Sequence, residues 1–246
     1  MLSHFLEEEG VPTTGISLVR LHTKTIEPPR ALWVPFELGR PLGVPNNPAF
    51  QKKVLMAVLR LLEKRSGPVL EDFPEEAPVS GEDPVILACP YVPAKKDTAL
   101  SEIERLCSTF EAELVSLRPW YDMAVQKRQR TTVGVSKLLL DDLSGFICSF
   151  LIGDKPWNPR EDVPLAYELK YAADDLKAYY FEAVSAQPGM TTSDGETGAR
   201  WFWEETVAGK VLMAVRDACL KSDDELPKGI ATGQIVPRRF QSSAKK

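Results

Sequence analysis

PPRALWVPFELGRPLGVPNNPAFQKKVLMAVLRLL, residues 28–62, is the stretch on which the fold turns. Pro28-Pro29 block a helix and lead into the apolar run from Ala31 to Phe36, which reads as a short strand. Leu38-Gly39-Arg40-Pro41-Leu42-Gly43-Val44-Pro45 then leaves that strand as a loop punctuated by glycine and proline. Asn47 before Pro48 is an N-cap followed by proline at the first helical position. Beyond it Phe50, Val54, Ala57, Val58, Leu61 and Leu62 recur on one face of a helix over about 48–65. Strand, loop and capped helix in that order predict one unit of an α/β sheet, whose strand-end loops are common ligand sites. The two glycines let the backbone approach a bound group, and the Arg40 guanidinium suits a carboxylate. A tight structural turn accounts for the same composition.

Upstream, Leu2, Phe5 and Leu6 recur at helical spacing and Gly10 with Pro12 ends that helix. TTGISLVRL, Thr13 to Leu21, is rich in β-branched residues and reads as a second strand. Residues 1–65 therefore read helix, strand, strand, helix. Downstream, prolines at 68, 74, 78, 84, 90 and 93 mixed with acids mark a linker or irregular excursion, within which VILAC, Val85 to Cys89, is a candidate strand. Beyond Thr98 the pattern becomes helical over 98–117, 132–152, 164–186 and 197–220, which suggests an all-α bundle. The expected fold class is α+β: a short C-terminal piece of an α/β domain followed by a mostly α-helical bundle domain. The expected divisions are 1–73, a Pro-rich linker 74–97, a helical domain 98–237 and a basic, frayed tail 238–246.

Composition excludes several classes of function. With 43% apolar and 26% charged residues the chain is not a disordered one. Its apolar runs are too short to span a bilayer, and Glu7-Glu8-Glu9 stand where a signal peptide needs base, so the expected location is cytoplasmic, without a membrane partner. Net charge is −5, with 11 basic and 12 acidic residues over 1–96 and 19 and 23 over the rest. That even spread gives no basic face for nucleic acid. Cys89, Cys107, Cys148 and Cys219 make no CxxC pair, and each sits among apolar neighbours, as buried free thiols do. No metal site is expected: Asp141-Asp142, Asp174-Asp175 and Glu204-Glu205 lie on the helical half, whereas the two histidines, His4 and His22, do not. Adjacent acids point apart on a helix, so at most one of each pair faces inward. Trp201-Phe202-Trp203 cover more than one buried stripe and must meet a second helix, another chain or a ligand.

Residues 11–63, and above all PPRALWVPFELGRPLG (Pro28 to Gly43), resemble the last segment of the selenoprotein B subunits of the glycine, sarcosine, betaine and D-proline reductases. The D-proline-type branch is the nearest in pattern. The resemblance covers about residues 1–73. It implies reductive cleavage of a carbon–nitrogen bond in an amino-acid-like substrate, driven by a dithiol. It also implies a selenocysteine or cysteine nucleophile in a U/C-x-x-C motif, and substrate activation on the pyruvoyl group of a partner subunit; no cofactor is expected in this chain itself. A selenolate or thiolate suits that work as a soft nucleophile whose adduct a second thiol resolves. In the family the motif stands just before the helix that here is Leu2 to Glu9, and none of the four cysteines occupies that place. The DNA upstream of Met1 is accordingly expected to continue in frame and encode it. Arg40, Gly39, Gly43, His22 and Thr23 match the family segment as substrate-pocket elements, with no catalytic residue assigned. Expected partners are a reductase subunit, a small amino-acid-like substrate and further copies of the chain. Two other readings stay open: a non-catalytic subunit or binding module for a small molecule or partner, and an enzyme of another class with its site in the helical half.

Overall fold

A computed structural model describes residues 2–78, 100–153, 157–187 and 195–241. The chain forms two compact units that divide between Asp83 and Pro84. Together they make a mixed α+β protein, mostly helical, with one small parallel sheet.

The first unit runs α1 (Leu2–Glu8), β1 (Gly15–Ser17), α2 (Arg20–Ile26), β2 (Arg30–Trp33), α3 (Pro48–Arg60) with a 3-10 turn (Leu61–Glu63), and β3 (Val69–Asp72). The strands are parallel in the order β1-β2-β3, with Ala31 opposite Gly15 on one side and Leu70 on the other. As expected, Asn47 caps α3, its side chain accepting from the Phe50 N–H at 3.1 Å, with Pro48 next. Leu32, Val34 and Phe36 bury against Val54, Val58, Leu61 and Phe73. Phe36, Phe50 and Phe73 close that core, Phe73 edge to face with the other two, ring centres 5.6 to 6.0 Å apart.

Two elements depart from the sequence expectation. The expected strand over Thr13 to Leu21 keeps only Gly15–Ser17, and the chain turns helical at Arg20. β1 and β2 are parallel neighbours, which a tight turn cannot join, so the intervening residues must cross over and α2 is that crossover. The Pro-rich stretch also hides β3. Pro68 immediately precedes the strand and Pro74 follows it, so prolines bracket the ladder without removing a donor from it. The strand expected at Val85 to Cys89 and most of the 74–97 stretch lie outside the described residues.

Arg30 ties this unit together. It is 7% exposed, donates from Nε to the Lys64 carbonyl at 2.9 Å, and from Nη1 to Glu7 at 2.6 Å and the Thr13 carbonyl at 3.4 Å. Glu7 also accepts from the N–H and hydroxyl of Thr13. The Thr13 N–H and then the Arg30 guanidinium hold its carboxyl below the usual range.

All described elements of the second unit are helical: α4 (Glu102–Arg128), α5 (Leu140–Ile152), α6 (Leu165–Val184), α7 (Gly195–Arg200), a π turn (Trp201–Glu205), α8 (Val207–Leu220), α9 (Glu225–Gly233) and a 3-10 turn (Arg238–Phe240). Ser101 and Glu104 form a reciprocal capping box on α4. The apolar faces meet in one core that includes Phe110, Leu117, Ile147, Leu176 and Leu212. Trp201, Phe202 and Trp203 are all buried, because the π turn widens the helix where they sit and Tyr180, Phe181 and Phe240 pack around them.

α6 is the post of this unit. Its buried carboxylates Glu168, Asp175 and Glu182 recur every seventh residue, on one helix face. Asp175 accepts from the N–H groups of Gly134, Val135 and Ser136 at 2.8 to 3.0 Å and from the Ser136 hydroxyl at 2.6 Å. Glu182 accepts from the Thr132 N–H and hydroxyl at 2.7 Å and the Thr131 hydroxyl at 2.8 Å. Burial raises the Glu182 carboxyl, but these donors outweigh it and hold it below the ordinary value. The helix expected from 132 therefore starts only at Leu140: Thr131, Thr132, Gly134, Val135 and Ser136 give donors to α6 instead.

Two further expectations are corrected. Cys107 and Cys148 are not free thiols; they form a disulfide between α4 and α5, Cα atoms 6.0 Å apart, because the two helices run face to face at that point. Cys219 is free and buried, as read, and burial pushes its thiol up; Cys89 lies outside the described residues. The basic tail is not frayed over its first residues, since Phe240 is buried and stacks on Trp203. The remaining tail, 242–246, is outside the described residues.

Candidate functional site

The loop singled out in the sequence leaves the carboxyl end of β2, the middle strand. Two successive turns shape it, with the Arg40 N–H donating to the Glu37 carbonyl and the Gly43 N–H to the Arg40 carbonyl, each at 2.9 Å. Gly39 and Gly43 both take positive φ, 91° and 83°. Their surroundings differ. Nothing lies near a Cβ built on Gly39, whereas one on Gly43 would come within 2.6 Å of the Phe50 ring. Gly43 is thus a packing glycine and Gly39 an open one. The Arg40 guanidinium lies 3.6 Å from Glu37.

His22 and Thr23 sit on α2, just after β1. His22 is exposed. Thr23 is 5% exposed, its hydroxyl donating to the Val19 carbonyl at 2.9 Å and meeting the Ser17 hydroxyl. Thr23 and Gly43 are therefore used inside the unit, while Arg40, Gly39 and His22 remain at its surface. Next to them, and not anticipated from sequence, Arg20 bridges to Asp72 at 2.9 and 3.1 Å, joining the carboxyl ends of β1 and β3. The described strand order never reverses, so these strands offer no switch-point crevice of the kind that holds ligands in doubly wound sheets.

A second candidate lies wholly in the helical unit. α4 and α5 flank a cavity of about 750 Å³ with the Cys107–Cys148 disulfide in its wall. Phe146, Leu138, Ile152 and Trp157 supply apolar surface, and Glu111, Asp141 and Asp142 supply carboxylates. A smaller cavity of about 310 Å³ shares Glu111, Asp141 and Ser144 with it and reaches Arg118 and Tyr179. Arg118 donates to Asp141 at 3.1 Å and Asp122 at 3.2 Å. Ser144 is 7% exposed and lines both cavities. The size falls in the range of small-molecule sites. Spacing alone could not reveal the cleft, because Glu111 and Asp141 belong to different helices and their pairing depends on how those helices dock.

Among the described residues no group of three His, Cys, Asp or Glu side chains is placed to hold a metal ion. Comparison with protein families, curated proteins and solved structures gives no match for this chain.

Proposed function

We propose that this chain is a relative of the selenoprotein B subunit of dithiol-dependent amino-acid reductases: a short C-terminal piece of an α/β domain joined to a helical bundle, with the nucleophile supplied from outside these 246 residues. The observation that carries this reading is β2 and its loop. Within PPRALWVPFELGRPLG, Arg30–Trp33 form the middle strand of a parallel sheet, and two positive-φ glycines shape the loop at its carboxyl end. A partner subunit is supported by the outer faces of the first unit's helices. Leu55, Leu59 and Leu62 at helical spacing on α3 and the turn after it, with Leu2 and Phe5 on α1, are exposed, as surfaces that meet another chain are.

In this reading the reaction is a two-electron reductive cleavage of a carbon–nitrogen bond, with a dithiol oxidised to a disulfide and the nitrogen leaving as an amine. A pyruvoyl group on the partner, when present, supplies the electrophile that activates the substrate. The part left to this chain is orientation, for which the Arg40 guanidinium, beside Glu37, is of the type that pairs with a substrate carboxylate. A cytoplasmic location belongs to the same proposal. No described helix is long and apolar enough to cross a membrane.

The test is dithiothreitol-driven consumption of D-proline, sarcosine, betaine and glycine, comparing protein isolated natively with its bound partners against the recombinant chain alone. The partnered form is expected to consume one of them and to lose this activity on treatment with iodoacetamide, and the chain alone is expected to be inactive. Absence of turnover in both forms overturns the reading. A binding module is the second reading, and the open cleft between α4 and α5 is the observation that favours it.

A further inference from the structure

We infer that the Cys107–Cys148 disulfide is a reversible redox switch: closed, it holds two helix ends of the second unit in place, and a low-molecular-weight thiol opens it and releases them. The inference stands apart from the reductase reading, because every residue it uses lies in the helical unit. Cys107 belongs to α4 and Cys148 to α5, with 6.0 Å between their Cα atoms and 41 residues between them in sequence. The place of the bond along each helix makes it a clasp. No side chain of α4 before Phe110 is buried, so its first two turns, Glu102 to Thr109, are held only by half-buried groups such as Leu106. Cys148 is the last buried residue of α5; beyond it Ser149, Phe150 and Leu151 are half-buried and Ile152 is exposed. The disulfide therefore joins two stretches with little apolar burial of their own, and such helix ends open at small cost once a covalent tie is lost.

The bond is also within reach of solvent. Both cysteines line the open cavity between α4 and α5, Cys107 half-buried and Cys148 buried. An incoming thiolate meets the Cys107 sulfur first. The sulfur–sulfur bond breaks, Cys148 leaves as a thiolate and takes a proton, and Cys107 carries the incoming molecule as a mixed disulfide. A second thiolate attacks the sulfur of that molecule and frees Cys107. In balance, one protein disulfide is reduced to two thiols while two thiol molecules are oxidised to one disulfide. A small disulfide runs the same steps backwards, with Cys148 displacing the bound thiol from Cys107. Disulfides that solvent can reach are the labile, regulatory ones, whereas a bond sealed in a core exchanges only on unfolding.

Equilibration of the native full chain with glutathione and glutathione disulfide in varied ratio, followed by acid quench, alkylation and peptide mapping, tests the switch. The Cys107–Cys148 link is expected to form in excess glutathione disulfide and to vanish in excess glutathione, with the same midpoint from either starting state. Hydrogen–deuterium exchange reads the helix ends. The amides of Leu106 to Thr109 and of Ser149 to Ile152 are expected to exchange about tenfold more slowly in the oxidised protein than in the reduced one. Cys107→Ser, a change at a half-buried position, is expected to exchange at both ends as the reduced parent does, in either buffer. A link that survives excess glutathione in the folded protein overturns the inference, as does one that never forms in glutathione disulfide. So does exchange at the two helix ends that does not change with redox state.

Discussion

Glu113 accepts from the Tyr180 hydroxyl at 2.6 Å and from the N–H groups of Val207 and Ala208 at 3.0 Å, while itself 1% exposed. It thereby satisfies donors at the start of α8 that have no partner within that helix. Glu113→Ala strands all of them in the interior and is expected to lower unfolding free energy by about 3–5 kcal/mol. Tyr180→Phe, which removes one donor and leaves the helix start satisfied, is expected to cost only about 1–2 kcal/mol. Urea unfolding midpoints of the two variants check this ordering. Glu168 behaves differently. It is fully buried, one oxygen accepts from Arg160 at 2.6 and 2.8 Å, and the other has no partner in the structure. Burial outweighs Arg160 and raises its carboxyl above the ordinary value. A raised folded value means stability present below the unfolded value and lost as pH rises through the folded one. As pH rises above the ordinary carboxyl range the melting temperature of the parent is therefore expected to fall more than that of Glu168→Gln, and parallel curves would disprove the assignment.

Among the elements, the loop from Leu38 to Pro45 gives the sharpest comparison, because its two glycines share a backbone conformation and differ in surroundings. Gly39→Ala is expected to cost about 1–2 kcal/mol, the penalty of a Cβ at positive φ. Gly43→Ala adds the clash with Phe50 and is expected to cost clearly more; equal denaturation midpoints would show that the ring simply moves aside. What was legible in the sequence follows the range of the forces involved. The Asn47-Pro48 start of α3 was legible because capping acts within four residues, and α6 because its apolar period persists over several turns; the run of α4 on to Arg128 and the break before α8 were not. The α2 crossover was not, since only the parallel pairing of β1 with β2 demands it. Nor was the role of Asp175 and Glu182, whose partners lie 39 to 51 residues away in a loop with no pattern of its own. Of the candidate sites, the β2 loop was readable from glycine and arginine placement. The α4–α5 cleft was not, since it exists only once two helices have docked.

At the scale of the molecule, two units with separate cores, one around Leu32, Val54 and Phe73 and one around Phe110, Leu176 and Leu212, imply two cooperative transitions. Differential scanning calorimetry is expected to resolve them, with Gly43→Ala lowering one and Glu113→Ala lowering only the other. A single transition that both variants shift together would show the units melting as one. The reach of Glu113 also bears on synthesis at the ribosome. Its carboxylate sits in the first helix of the second unit, while the N–H groups that donate to it belong to α8, 94 and 95 residues further on. During translation α4 emerges with an inward-facing carboxylate that lacks these backbone donors until α8 has cleared the exit tunnel. At about 5–20 residues per second that interval lasts roughly 5–20 seconds. For that time the helical half is a natural client for chaperones that shield apolar surface, and nascent chains stalled before Val207 should be markedly more sensitive to protease than those released after it.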